Sequence, residues 1–160
     1  MTLKPFKYNP PKIPLDIIYI DSSVIVLNKP AGLLTVPGKG EAHSDSLLTR
    51  LRKNVFGALL VHRLDLDTSG VIIFARTASS QIQLNEQFAT RQTKKIYLAR
   101  VEGHIKNHKG RINLPITVDW PNRPIQKVCL KFGKPSVTHY RVLKHEKNNI
   151  SSVELQPVTG

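Results

Sequence analysis

The chain has 160 residues, enough for one domain with a single core and too few for several. Lys and Arg number 24 against 11 Asp and Glu, a formal charge of +13 that calls for a polyanionic partner, of which nucleic acid is the commonest. No basic amphipathic helix or lipidation signal argues for a membrane instead, and the single cysteine, Cys129, excludes an internal disulfide and fits a reducing, cytoplasmic compartment.

In chain order, residues 1–15 are broken by prolines and predict an extended lead-in, neither a signal peptide nor a membrane span. Short β-branched strands follow at 17–20 and 24–27, with Asp21, Ser22 and Ser23 as the turn between them. The loop AGLLTVPGKG then offers small residues that allow close backbone approach. SDSLLTRLRKNV predicts a helix capped by Ser44 or Asp45, with Leu47, Leu48 and Leu51 on one face. Apolar runs at 58–61 and 71–75 have strand length and flank VHRLDLDTSG. A second helix is predicted over 78–89, with Thr77 as cap and Ile82 and Phe88 facing inward. KKIYLARVEG, IQKVCLKF, VTHYRVLKH and ISSVELQPV predict strands. Without repeats or linkers, 1–160 is expected to be a single domain. The connections are too short for repeated parallel crossovers. The fold class is therefore α+β: a mixed, mainly antiparallel sheet with helices packed on it.

Asp65 and Asp67 are two of the few acids in a basic chain, and they stand at the end of an apolar run. Three readings compete for them. Asp67 suits a turn, its side chain bonding the N–H groups of Thr68 to Gly70, which leaves Asp65 unexplained. The pattern Asp-x-Asp-Thr resembles the opening of haloacid-dehalogenase-type phosphatases, but the later acids Glu86, Glu102, Asp119, Glu146 and Glu154 are too scattered to complete a Mg²⁺ site. Asp65 also suits a nucleophile or base, partly buried and kept ionised by cationic neighbours, acting on a bound polyanion. His104 and His108 stand four apart beside glycines and are expected to be loop histidines, not metal ligands.

HRLDLDTSG at 62–70 resembles the catalytic motif HRLD-x-x-TSG of the RluA-type pseudouridine synthases. VLNKPAGLLTVPG at 26–38, KKIYLARVEGH at 94–104 and DWPNRPIQKVCLKFGKPSVTHYRVL at 119–143 resemble further family segments in the family's order. The likeness runs from about residue 16 onward. It implies isomerisation of uridine in structured RNA, 23S ribosomal RNA and transfer RNA stem-loops among the substrates, with no cofactor and no metal. By resemblance Asp65 is the catalytic aspartate. Tyr97 would pack on the target base and assist proton removal, and Arg63 would fill the place the flipped base leaves. His62 is expected to be structural. Lys94, Lys95, Arg123, Lys127, Lys131 and Lys134 are candidates for phosphate contacts. A monomer and no membrane association are expected. In the family the stretch VELQPVTG leads into Gly-Arg-x-His-Gln-x-Arg, whose arginine pairs with the aspartate. Gly160 corresponds to its first residue, so the resemblance implies a C-terminally truncated catalytic domain of weak or no activity.

Overall fold

Asp21 builds the first turn. Its carboxylate accepts the backbone N–H groups of Ser23 and Val24 at 2.7 Å each and the Tyr19 hydroxyl at 2.9 Å. The turn joins two antiparallel strands, β1 (Asp16–Ile20) and β2 (Val24–Lys29). In the computed structural model, which describes residues 7–123 and 125–159, the chain forms two compact units, one ending at Thr90 and the other beginning at Arg91. The first six residues of the lead-in and Gly160 lie outside the described residues.

The first unit holds a four-stranded antiparallel sheet in the order β1-β2-β4-β3, where β3 is Leu59–Leu60 and β4 is Gly70–Ala75. Along β2 the inward positions alternate, Ile25, Leu27 and Lys29 all being buried. Helix α1 (Leu47–Asn54) adds Leu47, Leu48 and Leu51 to the core, as the heptad-like spacing predicts. Its cap is Ser46 rather than Ser44 or Asp45. The Ser46 hydroxyl accepts the Thr49 N–H while Thr49 Oγ1 accepts the Ser46 N–H, a reciprocal box that satisfies two helix-end donors. Asp45 is left to pair with Arg50 through two bonds of 2.8 and 2.7 Å, and Arg50 reaches the Pro11 carbonyl of the lead-in at 2.8 Å.

Helix α2 (Ala78–Ala89) begins at the expected cap, Thr77, but turns a different face to the sheet. Ile82 is 67% exposed. Positions 82 and 88 lie on different sides of a 3.6-residue helix, so both cannot face inward. Gln81 and Phe88, seven apart, share a side: Gln81 donates to the Leu60 carbonyl at 2.7 Å, and Phe88 stacks on His62 with ring centroids 4.6 Å apart.

The second unit contains β5 (Tyr97–Glu102), β6 (Lys109–Asn113), β9 (Val137–Glu146) and β10 (Ile150–Pro157), in the order β5-β10-β9-β6. Asn148 and Asn149, with φ of 62° and 55°, form the tight β9–β10 turn, a conformation asparagine tolerates well. Strands β7 (Ile116–Val118) and β8 (Gln126–Val128) form a separate ribbon. The strand expected across IQKVCLKF stops at Val128, because a turn closed by the Gly133 N–H on the Cys129 carbonyl at 2.8 Å takes over. The α+β class holds. Every strand pairing among the described residues is antiparallel, and the strands divide among three sheets instead of one mixed sheet.

Hydrogen bonds hold several carboxyls below their ordinary range. For Asp21 the cause is chiefly the Val24 and Ser23 amides, for Asp45 the Arg50 guanidinium, and for Glu146 the Ser152 hydroxyl. A carboxylate whose folded pKa is depressed contributes stability above its unfolded pKa and loses it as pH falls through the folded value. Stability is therefore expected to be flat near neutrality and to fall as pH drops below about 4. Acid titration followed by circular dichroism measures this. A loss beginning near pH 6 would contradict it.

Candidate active site

Residues 61–69 bridge β3 and β4, and backbone and side-chain bonds fix their path. Strand β3 is short because the next ladder position is taken by a side chain: the Ile73 N–H of β4 donates to His62 Nε2 at 3.2 Å. His62 is thus held between β4 and Phe88 of α2, the structural role expected of it. After it the side chains alternate. Arg63, Asp65 and Asp67 are exposed, Leu64 is buried and Leu66 half-buried. That alternation accounts for two carboxylates two residues apart, since both stand on the outward side of the same loop.

Each inward residue is bolted down by backbone bonds. Thr35 Oγ1, buried in the 31–40 loop, donates to the Leu64 carbonyl at 2.6 Å and accepts the Leu64 N–H at 3.2 Å. That loop is itself held by α1, whose first amides, from Leu47 and Leu48, donate to the Leu34 and Thr35 carbonyls at 2.8 and 3.1 Å. The Leu66 carbonyl accepts the Gly32 N–H at 2.9 Å and the Lys29 ammonium at 3.1 Å. Between these anchors the Thr68 N–H donates to the Asp65 carbonyl at 3.2 Å, closing a turn. Gly70 then leaves the loop with φ of 121°, a conformation essentially reserved for glycine.

Lys29 is the feature the sequence reading missed. It is fully buried, and its ammonium donates to the carbonyls of Leu33 at 2.7 Å, Pro30 at 2.9 Å and Leu66 at 3.1 Å. Burial pushes its pKa below the ordinary lysine value, opposed by the negative fields of Asp67 and Asp65. One buried cation therefore ties the 30–33 loop to the motif loop and sits beneath its two carboxylates.

Asp65 departs from expectation in one respect. It is exposed, not partly buried, because the alternation that buries Leu64 turns Asp65 outward. Asp67 occupies the turn but makes no hydrogen bond among the described residues. Arg63 and Asp65 share one loop in the first unit, whereas Tyr97 opens β5 in the second, half-buried and opposite Leu155 of β10.

Of the candidate phosphate contacts, Lys95 donates to the Thr159 carbonyl at 3.3 Å and Lys127 pairs with Asp119 at 2.9 Å. His104 and His108 lie between β5 and β6, both near His145, with ring centroids 4.8 and 6.4 Å away. Among the described residues no group of His, Cys, Asp and Glu has a metal-site arrangement, and no helix is long and apolar enough to cross a membrane.

A substitution at Thr35 tests the loop's anchoring. Thr35→Val keeps the volume and strips both partners from the buried Leu64 backbone. It is expected to lower stability by about 1–3 kcal/mol in urea unfolding. An unchanged midpoint would show that Leu64 finds other partners.

Comparison with known proteins places this loop in context. Residues 23–160 match the family model for RNA pseudouridylate synthase. The dual-specificity RNA pseudouridine synthases RluA of Salmonella typhi and Escherichia coli K12 are each 49% identical over 154 residues, covering 96% of this chain and 70% of theirs. Two solved human structures share the fold. RNA pseudouridylate synthase domain containing 4 has a TM-score of 0.71 at 27% identity, over 91% of this chain and 59% of that one. Domain containing 1 has a TM-score of 0.73 at 26% identity, over 92% and 60%. The chain thus spans somewhat less than two thirds of those two solved chains. With the HRLD-x-x-TSG loop in place and the family model matched from residue 23 onward, this chain belongs to the RNA pseudouridylate synthase family.

Proposed function

We propose that this chain isomerises uridine to pseudouridine in structured RNA, ribosomal or transfer RNA stem-loops being the substrates, with Asp65 as the group that attacks the target nucleoside. The observation that carries the reading is a carboxylate whose backbone is fixed between two bolted positions, Leu64 and Leu66, in a chain of net charge +13. The reaction conserves atoms. The bond from uracil N1 to ribose C1′ breaks, the base turns, and C5 joins C1′. The hydrogen of C5 leaves as a proton and N1 gains one.

Each named residue has a part. An ionised carboxylate is the nucleophile such a cleavage needs, and a flipped nucleoside laid over Asp65 would remove the water the exposed group now meets. Flipping costs a few kcal/mol, least in loops, and Arg63, exposed beside Asp65, is assigned to stack where the base was. Tyr97 is assigned to pack on the base and assist loss of the C5 proton. The protein is taken to work as a monomer in the cytoplasm, without cofactor.

Mapping pseudouridine across cellular RNA with and without the gene tests the proposal: specific sites are expected to disappear, and an unchanged map would contradict it. RNA binding without catalysis is the second reading, favoured by the exposure of Asp65.

A further inference from the structure

Between β6 and β9, paired at Asn113 and Val137, the chain makes an excursion over residues 114–136. Its base is closely stitched. The Leu114 N–H donates to the Ser136 carbonyl at 3.1 Å, Ile116 and Lys134 exchange two bonds at 3.0 and 2.8 Å, and the Cys129 N–H reaches the Pro115 carbonyl at 2.9 Å. The β7–β8 ladder continues that order outward. Such a frame holds its side chains in place, yet what it presents is apolar: Trp120 is 69% exposed, Phe132 75% and Leu130 84%. Large exposed aromatics on one hydrogen-bonded arm are uncommon on a surface with no partner.

The charges of the arm say which partner fits. It carries four cations, Arg123, Lys127, Lys131 and Lys134, against one carboxylate, Asp119. Asp119 is consumed internally, accepting from Asn122 at 2.8 Å and Lys127 at 2.9 Å, which together hold its pKa below the ordinary range. Arg123, Lys131 and Lys134 have no carboxylate partner among the described residues. Two of them lie against the rings: the Arg123 guanidinium is 3.1 Å from the Trp120 ring centroid and the Lys131 ammonium 5.2 Å from that of Phe132. Protein interfaces are depleted in lysine. Aromatic faces interleaved with unpaired cations suit unpaired nucleotides, whose bases stack while their phosphates meet the charges.

We infer that the 114–136 arm is an RNA-stacking surface, on which unpaired bases of a bound RNA seat against Trp120 and Phe132. This rests on the proposed function for its partner class, RNA, and on nothing in the chemistry of Asp65. Arg123 covers one face of the indole and a base takes the other, giving a sandwich.

Trp120 is the only tryptophan, so its emission reports on this arm alone. The experiment titrates the protein with a short uridine-containing RNA hairpin, following tryptophan fluorescence and, in parallel, anisotropy of the same hairpin carrying a dye. Saturable quenching with the anisotropy midpoint is expected. Trp120→Ala and Phe132→Ala should each weaken binding about 5- to 100-fold with unchanged circular dichroism. Trp120→Phe, which keeps a stacking face, should recover most of the affinity. Binding with no change in emission and no loss in Trp120→Ala would overturn the inference. So would a dimer in sedimentation that Trp120→Ala dissociates, since the arm would then serve self-association. A protein that stacks the hairpin without isomerising it contradicts only the proposed function; one that isomerises without quenching contradicts only the arm.

Discussion

Lys29→Met is expected to lower the free energy of unfolding by about 2–4 kcal/mol, read from urea unfolding. Two opposed effects decide the size. Methionine removes a charge whose burial is unfavourable, as its lowered pKa records, and replacing buried ions by apolar side chains is often harmless. Against that, the ammonium satisfies three backbone carbonyls, and only Leu66 keeps a second donor, from Gly32. Orphaned buried carbonyls cost about 1–3 kcal/mol each, so the loss dominates. The pH dependence separates the two effects. Between the lowered folded pKa of Lys29 and its ordinary 10.5, the unfolded chain binds more protons, and stability rises with pH. Lys29→Met should lack that rise. A variant as stable as the parent, with the alkaline rise intact, would show that Lys29 does not organise the loop.

Asp65→Asn is expected to leave the fold and RNA affinity nearly untouched while reducing isomerisation about 10³-fold or more. Asp65 is exposed and its side chain makes no hydrogen bond among the described residues, so a change of similar size should shift stability by no more than about 0.5 kcal/mol. One negative charge fewer in a +13 chain does not weaken attraction for phosphates. What disappears is the nucleophile. Hairpin binding by anisotropy and nucleoside analysis of the same reaction check both halves. Loss of binding together with turnover would make Asp65 a folding or docking residue.

Most strands and both helices were legible because their patterns are local: Leu47, Leu48 and Leu51 share a face by spacing alone, whereas β6 (Lys109–Asn113) and β7 (Ile116–Val118), short and without apolar alternation, were not predicted. The motif loop was legible by resemblance, and family membership bears that out. Lys29 was legible in principle, since the alternation that buries Ile25 and Leu27 extends to it, but a lysine before proline suggests a surface turn until its three carbonyls are seen. Thr35 could not be found, because its partner is 29 residues away in a loop without period. The exposure of Asp65 was hidden by treating the residues after an apolar run as its buried continuation. The side chain of His62 ends the ladder there and returns the chain to the surface. Ile82 shows the same limit, since an apolar residue count does not choose a helix face that Gln81 and Phe88 fix through specific partners.

Forming the new carbon–carbon bond expels the hydrogen at uracil C5, so RNA carrying tritium at that position reports the reaction directly. Even at the weak activity expected of the parent chain, tritium should pass to water in step with pseudouridine formed, and it should stay on the RNA with Asp65→Asn. Release from Asp65→Asn at the parent rate would remove the carboxylate from the chemistry and contradict the account.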